Sequence, residues 1–323
     1  MNPTRGIALK LGAVACFSVM AACVKAARVE IPAGQAAFFR CALALFPVVA
    51  YAAWRGPLSE AIRVQSPRAH FWRGVIGAAG MGLTFGALGL LPLPEVIAIG
   101  FAAPIIATAL AVVMLGERVR LARWSAVLTG LLGVTIMIWP RLTLSGETTP
   151  TVALGAALAL AGAFVIGLSD VYTRRMTRTE TTLSIVFWFH ISVSAASLLT
   201  LPFGWVWPTP TTWALLVASG LLGGAAQILL TSAYSYANAS TLAPFQYSAM
   251  LYGLVLGLVV FAEVPSLQVL AGAGVVIAAG LFILYRERRL KRERGAITAP
   301  GLIAPNPIAP DLTTQTPEAK RTP

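Results

Sequence analysis

Apolar runs follow one another from the N-terminal region to Tyr285, and short polar or basic segments separate them. Each run is close to the roughly 20 residues that a helix needs to cross about 30 Å of hydrocarbon. The pattern predicts an all-α integral membrane protein with ten transmembrane helices. The predicted spans are Gly6–Ala26, Ala33–Trp54, Gly74–Leu91, Glu95–Leu115, Ala122–Trp139, Thr151–Tyr172, Thr182–Phe203, Thr211–Tyr236, Leu242–Phe261 and Leu267–Tyr285.

Composition agrees with a membrane location, because 57% of the 323 residues are hydrophobic and 11% are charged, well outside the usual range of soluble domains. An even number of spans places both termini on one side. On that side 17 lysines and arginines flank the spans, against Arg28 and Arg141 on the other. The positive-inside rule therefore predicts cytoplasmic termini. The basic residues are expected to contact anionic lipids, and no nucleic-acid partner is expected.

Two short stretches read as copies of each other, Phe38-Phe39-Arg40-Cys41 and Trp188-Phe189-His190-Ile191. A second match aligns Glu95–Glu117 with Thr241–Glu263 without a gap. The chain is therefore expected to be duplicated, with five spans in residues 1–145 and five in residues 146–286. Because five is odd, the second half should enter the membrane from the opposite face. Residues 287–323 are basic and then rich in Pro, Thr and Ala, which predicts a disordered cytoplasmic tail.

These features resemble the drug/metabolite transporter superfamily, specifically its ten-span EamA branch. The residues that carry the resemblance are Phe38-Phe39-Arg40 in the second span, Leu115-Gly116-Glu117 after the fourth and Ala262-Glu263 after the ninth. The resemblance implies an inner-membrane carrier of a small organic solute, with a cavity between the halves and no cofactor. Family precedent includes amino acids, nucleoside-like metabolites such as S-adenosylmethionine, and vitamins such as riboflavin. The resemblance leaves open whether the solute is imported or exported and whether the protein forms a homodimer.

Arg40 is the first candidate for the substrate site, because an unpaired guanidinium inside a span is costly and must be offset. Arg40 could face the cavity and bind a carboxylate, phosphate or sulfonyl group with its planar fork. The alternatives are a fixed ion pair with Glu95, which begins the fourth span on the same side, or snorkelling to the interface. His190, at the duplicated position, could bind solute or carry a proton, or it could simply be a packing residue.

Aromatic and amide side chains near the seam between the halves could add stacking and hydrogen-bonding surface to a small-molecule site. Most aromatic residues in a helix bundle only pack, so each of these residues has that alternative. Gln246 and Tyr247 interrupt an otherwise aliphatic span and are the stronger candidates. The other members of this set are Gln35, Phe38, Trp188, Gln227 and Tyr252.

Four carboxylates are candidates for gating or coupling. Glu117 and Glu263 lie at span ends, where a structural or gating role is favoured over coupling. Asp170 precedes Arg174 by one turn, which favours a helix-end ion pair. Any proton coupling would fall on His190, Glu95 or Asp170, whereas exchange or facilitated diffusion would need none of them.

A membrane-embedded enzyme is the main alternative from another class of protein. The sequence holds two histidines, His70 and His190, and the predicted spans place His70 in a cytoplasmic loop. Neither a cluster of metal ligands nor a nucleophile–base motif is recognisable. The sequence therefore favours a carrier that works by alternating access. Lys10 and Lys25, near the ends of the first span, are expected to snorkel.

Overall fold

The computed structural model of the chain is helical wherever it describes regular structure. The described residues are 3–115, 128–129, 132–133, 135–136, 150–177, 179–236, 243–275, 277–278, 281–282 and 285. Most of the predicted fifth span, part of the tenth, Glu117 and the predicted tail lie outside them. Residues 267–275 are helical as well.

The observed helices overlap the predicted spans, and the larger differences lie at the third, fourth and ninth spans. Four of them, α1, α2, α7 and α9, contain segments of 21 to 24 residues that are long and apolar enough to cross a membrane. The elements are α1 (Pro3–Ala27), α2 (Ala33–Arg55), α3 (Leu58–Ile62), α4 (Pro67–Leu88), α5 (Leu93–Gly100), α6 (Ala102–Leu115), α7 (Pro150–Met176), α8 (Thr182–Leu198), α9 (Pro210–Tyr236), a 3-10 helix (Ala243–Tyr247) and α10 (Ser248–Phe261).

The predicted third span begins earlier in the structure than in the sequence analysis. Helix α4 starts at Pro67, which occupies the first helical turn after the N-cap residue Ser66. Proline suits this position because its missing N–H would have no intrahelical acceptor. The sequence analysis placed His70 in a cytoplasmic loop and counted Arg73 among the 17 basic residues that flank the spans. Both residues lie on α4, so the loop assignment was wrong.

The predicted fourth and ninth spans are both interrupted, and the two interruptions meet. Helix α5 ends at Gly100 and α6 begins at Ala102. Because proline has no N–H, Pro104 cannot donate to the carbonyl of Gly100. In the gap-free match between the halves, Phe101 corresponds to Tyr247, where the 3-10 helix gives way to α10. The rings of Phe101 and Tyr247 lie 5.4 Å apart, edge to face.

The two halves run in opposite directions. The end of α1 contacts the end of α4, because Lys25 Nζ donates to the carbonyl of Leu91 at 2.7 Å, so these two helices are parallel. Helix α7 is antiparallel to α4, since Gly86 faces Leu158 whereas Gly80 faces Val165. The first helix of the second half is therefore inverted relative to α1, as the odd number of spans predicted.

Contacts between helices repeat across the two halves. The contact between α1 and α9 corresponds to the contact between α7 and α4 in the other half. In the same way, the contact between α2 and α9 corresponds to the contact between α8 and α4. Helices α2 and α8, which carry the matching four-residue motifs, pack on each other. The pattern is that of two copies of one bundle related by an approximate twofold axis.

Glycines allow two of these repeated contacts to be close. Gly74 and Gly77 of α4 face α8, and Gly220 and Gly223 of α9 face α2. A Cβ on Gly74 would lie 2.3 Å from the Cβ of Ser192, and one on Gly220 would lie 2.4 Å from the Cβ of Leu43. Small residues at helix contacts are a usual solution in membranes, where close backbone approach replaces hydrophobic burial as the source of association.

The surface of the bundle is apolar, as expected for contact with lipid. Trp54, Trp207 and Leu267 are each at least 80% exposed. The aromatic residues lie near both ends of the long helices, where Trp and Tyr favour membrane interfaces. The chain is therefore an all-α integral membrane protein in its described parts.

Candidate functional site

A cavity of about 230 Å³ lies between α1, α2, α4, α7 and α8. Its wall is mostly apolar but holds two guanidinium groups and one carboxylate. The polar residues that line it are Arg40, Arg73, Thr84, Ser169 and Asp170, and the larger apolar ones are Met20, Ile76, Met81, Phe85, Val165, Ile166 and Phe189.

Arg40 lines this cavity and is only 5% exposed. Its Nε lies 3.3 Å from Met20 Sδ, and its Nη1 lies 3.5 Å from Cys41 Sγ. Sulfur is a weak acceptor, and within the described part of the chain Arg40 makes no ion pair. The alternative in which Glu95 neutralises it is therefore not found, and the cavity-facing alternative agrees with the structure.

Arg73 lines the same cavity, although sequence reasoning had counted it among the loop charges. Its guanidinium carbon lies 4.2 Å from the centre of the Phe189 ring. Its Nε and Nη1 are buried and have no hydrogen-bond partner among the described residues. Gly77 provides the space for this stacking, because a Cβ there would lie 2.2 Å from Phe189 and 3.0 Å from Arg73 Nη1. The sequence does hold a signal that Arg73 lies on a helix, because Ser66-Pro67 is a typical helix start and precedes it.

Asp170 is the one carboxylate among the described residues that line the cavity, and it is an exposed residue. It interacts electrostatically with Arg73 and with Lys10. Lys10 is 5% exposed, and its Nζ donates to Gln246 Oε1 at 2.7 Å. The prediction that Lys10 snorkels to the interface was therefore wrong. The predicted partner of Asp170, the Arg174 side chain, lies outside the described residues.

His190 is buried beside the cavity and is not part of its lining. Its Nδ1 donates to the carbonyl of Val186 at 2.8 Å. Nε2 is buried without a hydrogen-bond partner in the part of the chain that the structure describes. Arg40 and Arg73 are close enough to interact with the ring electrostatically, so the ring sits beside the guanidinium pair.

Three of the predicted binding residues have their polar or aromatic groups engaged away from the cavity. The side-chain amide of Gln35 donates to the carbonyl of Val206 at 2.7 Å, and its oxygen accepts from the N–H of Val206 at 3.1 Å. Trp188 Nε1 donates to the carbonyl of Ile62 at 2.8 Å. Phe38 belongs to an aromatic cluster, with its ring centre 5.4 Å from that of Trp205. These contacts favour structural roles.

The remaining candidates of this set also lie apart from the cavity lining. Gln227 lines a separate small pocket of about 20 Å³. Gln246 is exposed and accepts from Lys10, and Tyr247 packs against Phe101. Tyr252 is half-buried on α10. None of the four lines the cavity that holds Arg40 and Arg73.

Glu263 ties together several elements at one end of the bundle, which we call the Glu263 end. Its Oε1 lies 2.9 Å from Lys25 Nζ, and its Oε2 accepts from the N–H of Leu93 at 2.8 Å. Ala262, at φ 52°, is in the left-handed region and ends α10 just before Glu263. Lys25 is thus paired, and the expectation that it snorkels was wrong. Glu95 is buried at the start of α5.

Glu30 makes a second connection at the Glu263 end. It accepts hydrogen bonds from the backbone N–H of Thr209 at 2.7 Å and from the hydroxyl groups of Thr209 and Thr212. The hydrogen bond from Thr212, followed by those from Thr209, holds the pKa of the Glu30 carboxyl below its ordinary value. Glu30 thereby fastens the loop after α1 to the start of α9.

Glu180 plays a similar part at the opposite end, which we call the Glu180 end. It accepts from the backbone N–H groups of Ser66 and Gln65 at 2.7 and 3.0 Å and lies 3.4 Å from His70 Nε2. Burial raises the pKa of the Glu180 carboxyl, but the hydrogen bonds and His70 lower it by more, so that it lies below its ordinary value. Glu180 therefore connects the α7–α8 loop to the N-terminus of α4.

Among the described residues, no group of three or more His, Cys, Asp or Glu side chains could hold a metal ion. The charged side chains that line the cavity suit the binding of a charged organic molecule.

Comparison with known proteins gives a match to one family along nearly the whole chain. The sequence model of the EamA-like transporter family matches residues 4–139 and 153–285. A solved crystal structure matches with a TM-score of 0.63 at 21% sequence identity, covering 89% of this chain and 99% of that one. This structural likeness shows a shared fold.

Curated relatives are named as transporters of different solutes. A riboflavin transporter of Rhizobium johnstonii is 28% identical over 82% of this chain and 85% of its own length. An S-adenosylmethionine uptake transporter of Rickettsia prowazekii is 26% identical over 78% and 82%, respectively. A pseudopaline exporter of Pseudomonas aeruginosa is 29% identical over 88% and 97%.

Proposed function

Because the chain belongs to the EamA-like transporter family, a family of multi-pass membrane transporters of small metabolites, we propose that it is a secondary transporter of a small anion-bearing organic metabolite. The site is the cavity that holds Arg40 and Arg73. We place the protein in the bacterial inner membrane with both termini in the cytoplasm, since the distribution of basic residues follows the positive-inside rule. The halves, residues 1–145 and 146–286, act as the two moving units.

The observation that carries this proposal is the pair of guanidinium groups in one cavity. A charged side chain at the centre of a membrane costs at least about 2.5–3.5 kcal/mol on insertion scales. Within the described part of the chain, the hydrogen-bond acceptors of Arg40 are two sulfur atoms, and two buried nitrogens of Arg73 have no partner there. An anion with two or more oxygens would supply the acceptors that both groups lack, and guanidinium binds such anions with bidentate geometry.

The cavity volume bears on the size of the solute. The 230 Å³ chamber is smaller than the roughly 300–1,000 Å³ of pockets for drug-sized ligands. It suits a compact metabolite, whereas a solute as large as riboflavin would require the helices to separate. The relatives support small metabolites as a class, and they do not single out one compound.

Alternating access needs an opening at each end of the bundle, and both ends carry a polar connection. The Lys25–Glu263 pair joins α1 and α10 at the Glu263 end, and Glu180 joins the α7–α8 loop to α4 at the Glu180 end. We assign these connections to the two gates. Inverted repeats rocking about a central site would break one connection while the other stays closed.

A thermal-shift screen of the purified protein tests this proposal, because a ligand that binds the native state raises the apparent melting temperature. The compounds are amino acids, nucleosides, S-adenosylmethionine, flavins and small organic acids. The proteins are the wild type, Arg40→Gln, Arg73→Gln and, as a control, Arg55→Gln, since Arg55 lies exposed at the end of α2 beside Tyr51. We expect an anion-bearing compound to stabilise the wild type and Arg55→Gln but neither cavity variant. Equal stabilisation of all four proteins would exclude this site.

A further inference from the structure

We propose that Lys10 carries the coupling proton of the transport cycle, so that the solute and one proton cross the membrane in the same direction. This inference rests on the proposed function, because it takes the cavity of Arg40 and Arg73 as the solute site. It adds a driving ion and the residue that binds it. Lys10 was not a candidate for this role from its sequence position, where it was expected to snorkel.

The first support is that Lys10 is a lysine buried inside a membrane helix. It lies on α1 and is 5% exposed. Its Nζ donates to Gln246 Oε1, an uncharged acceptor, at 2.7 Å. A neutral amine still has two N–H groups, so this hydrogen bond survives the loss of the proton. A buried lysine can thus exist in both forms, whereas an arginine stays charged.

The second support is the set of charges around Lys10. The charged group that acts on Lys10 is Asp170 of α7, which is an exposed residue. The other titratable residues on elements that pack against α1 are Arg68, His70 and Arg73 of α4, Glu95 of α5, and tyrosines of α9, α10 and the 3-10 helix. Among these, Arg73 acts on Asp170. An exposed carboxylate within electrostatic range of a buried amine is an arrangement that suits a proton relay.

The third support is the order of the charges, because Asp170 acts on both Lys10 and Arg73. Arg73 lines the cavity, so a solute anion bound to it would replace part of the interaction that Asp170 now makes. The negative charge of Asp170 would then stabilise the ammonium of Lys10 more strongly. Coupling between two binding sites is reciprocal, so a protonated Lys10 favours anion binding. Solute and proton therefore bind together and leave together.

The fourth support is the place of the Lys10–Gln246 hydrogen bond between the two halves. Lys10 belongs to the first half, and Gln246 lies on the 3-10 helix that interrupts the ninth span in the second half. Charge-assisted hydrogen bonds are roughly twice as strong as neutral ones. Binding or release of the proton therefore changes the strength of a contact between the two moving units.

Lys10→Arg tests the inference, because arginine keeps the charge and can donate to Gln246 but does not release its proton. The probe is whichever of methionine, glutamate, succinate and S-adenosylmethionine gives the wild type the largest thermal shift. Proteoliposomes with the membrane potential held at zero are given a gradient of about 1.5 pH units, acidic outside, at which one proton per solute would sustain an accumulation of about 30-fold. Arg5→Lys, at an exposed position of α1, is the matched control.

We expect the wild type and Arg5→Lys to concentrate the probe toward this limit, and Lys10→Arg to bring it only to the external concentration. Counterflow against unlabelled probe needs no net movement of protons and should run at the wild-type rate in all three proteins. Accumulation by Lys10→Arg to the wild-type level would overturn the role of Lys10. Counterflow without accumulation in the wild type would overturn proton coupling and leave the proposed function standing. Absence of both a thermal shift and counterflow with every probe would contradict the proposed function itself.

A binding measurement decides the case in which Lys10→Arg also loses counterflow. Calorimetry in buffers of different ionisation enthalpy gives the number of protons taken up per probe bound by purified wild type, Lys10→Arg and Lys10→Gln. The wild type should take up more protons than either variant, by up to about one per probe, at some pH between about 6 and 9. Ionisation of the probe is the same in all three and cancels in the difference. Equal proton uptake in the three proteins, or loss of probe binding by both variants, would overturn the inference.

Discussion

Gly74→Ala should destabilise the protein by forcing α4 and α8 apart. A Cβ on residue 74 would lie 2.3 Å from Ser192 Cβ and 2.9 Å from its Oγ. Carbon atoms in contact prefer about 3.5–4.0 Å, so the helices would have to separate by more than about 1 Å. A change of rotamer cannot relieve the contact, because the Cβ of Ser192 is fixed to the backbone of α8.

Two opposing effects set the size of the change in the free energy of unfolding. Alanine is favoured over glycine in a helix by about 1 kcal/mol, whereas overpacking a close contact costs about 1–3 kcal/mol and sometimes more. A contact as short as this one belongs at the upper end, so we expect a net loss of about 1–2 kcal/mol. For a chain of this size that corresponds to a decrease in the melting temperature of about 2–6 °C.

The measurement is thermal unfolding of purified protein in one detergent, with Gly82→Ala as the matched control. Gly82 lies on the same helix, but a Cβ there would meet nothing within 4 Å, so this control should be neutral or slightly stabilising. Ser192→Gly removes the opposing Cβ, and in that background Gly74→Ala should no longer be destabilising. Equal melting temperatures for wild type and Gly74→Ala, or the same loss in the Ser192→Gly background, would refute the reasoning.

Three other predictions concern residues outside the cavity. Glu263→Ala should lower the melting temperature by more than Glu263→Gln, because alanine leaves the N–H of Leu93 without an acceptor and Lys25 without its carboxylate, whereas glutamine can still accept; equal losses would contradict this. Because the pKa of Glu180 is depressed in the folded protein, its stabilisation should be complete above the ordinary value of 4.5 and be lost as the pH falls below it. Melting curves between about pH 3 and 6 should therefore fall more steeply for wild type than for Glu180→Gln, and parallel curves would exclude the linkage. Trp188→Phe should keep full substrate affinity in the thermal-shift assay, since its indole N–H bonds Ile62, and a loss of affinity would return Trp188 to the binding site.

The helices could be predicted from sequence because their signal is local. Runs of apolar residues bounded by basic residues located α2 and α7 to within a few residues of their observed ends. The duplicated motifs predicted the inversion of the halves. The error at α4 arose because Arg73 was treated as a topology signal, although Ser66-Pro67 already marked the start of a helix.

The candidate site was harder to predict because its contacts join residues far apart in the chain. Arg40 drew attention because a charge inside a span demands compensation; it lines the cavity, and its role in binding solute stays a prediction. The role of Gln35 depends on the backbone of Val206, which lies 171 positions away. Lys25 could not be assigned to Glu263 for the same reason. Amide and aromatic residue types show what a side chain can bind, whereas the packing of the helices decides which partner it meets.

Transport by the reconstituted protein tests the central claim most directly. Uptake into liposomes of the compound that gives the largest thermal shift should be measured for wild type, Arg40→Gln, Arg73→Gln and Arg55→Gln, each shown to be monodisperse. If the guanidinium pair binds the solute, uptake persists in the wild type and Arg55→Gln and falls to the level of empty liposomes in both cavity variants. Uptake at the wild-type rate in Arg40→Gln and Arg73→Gln would contradict the account.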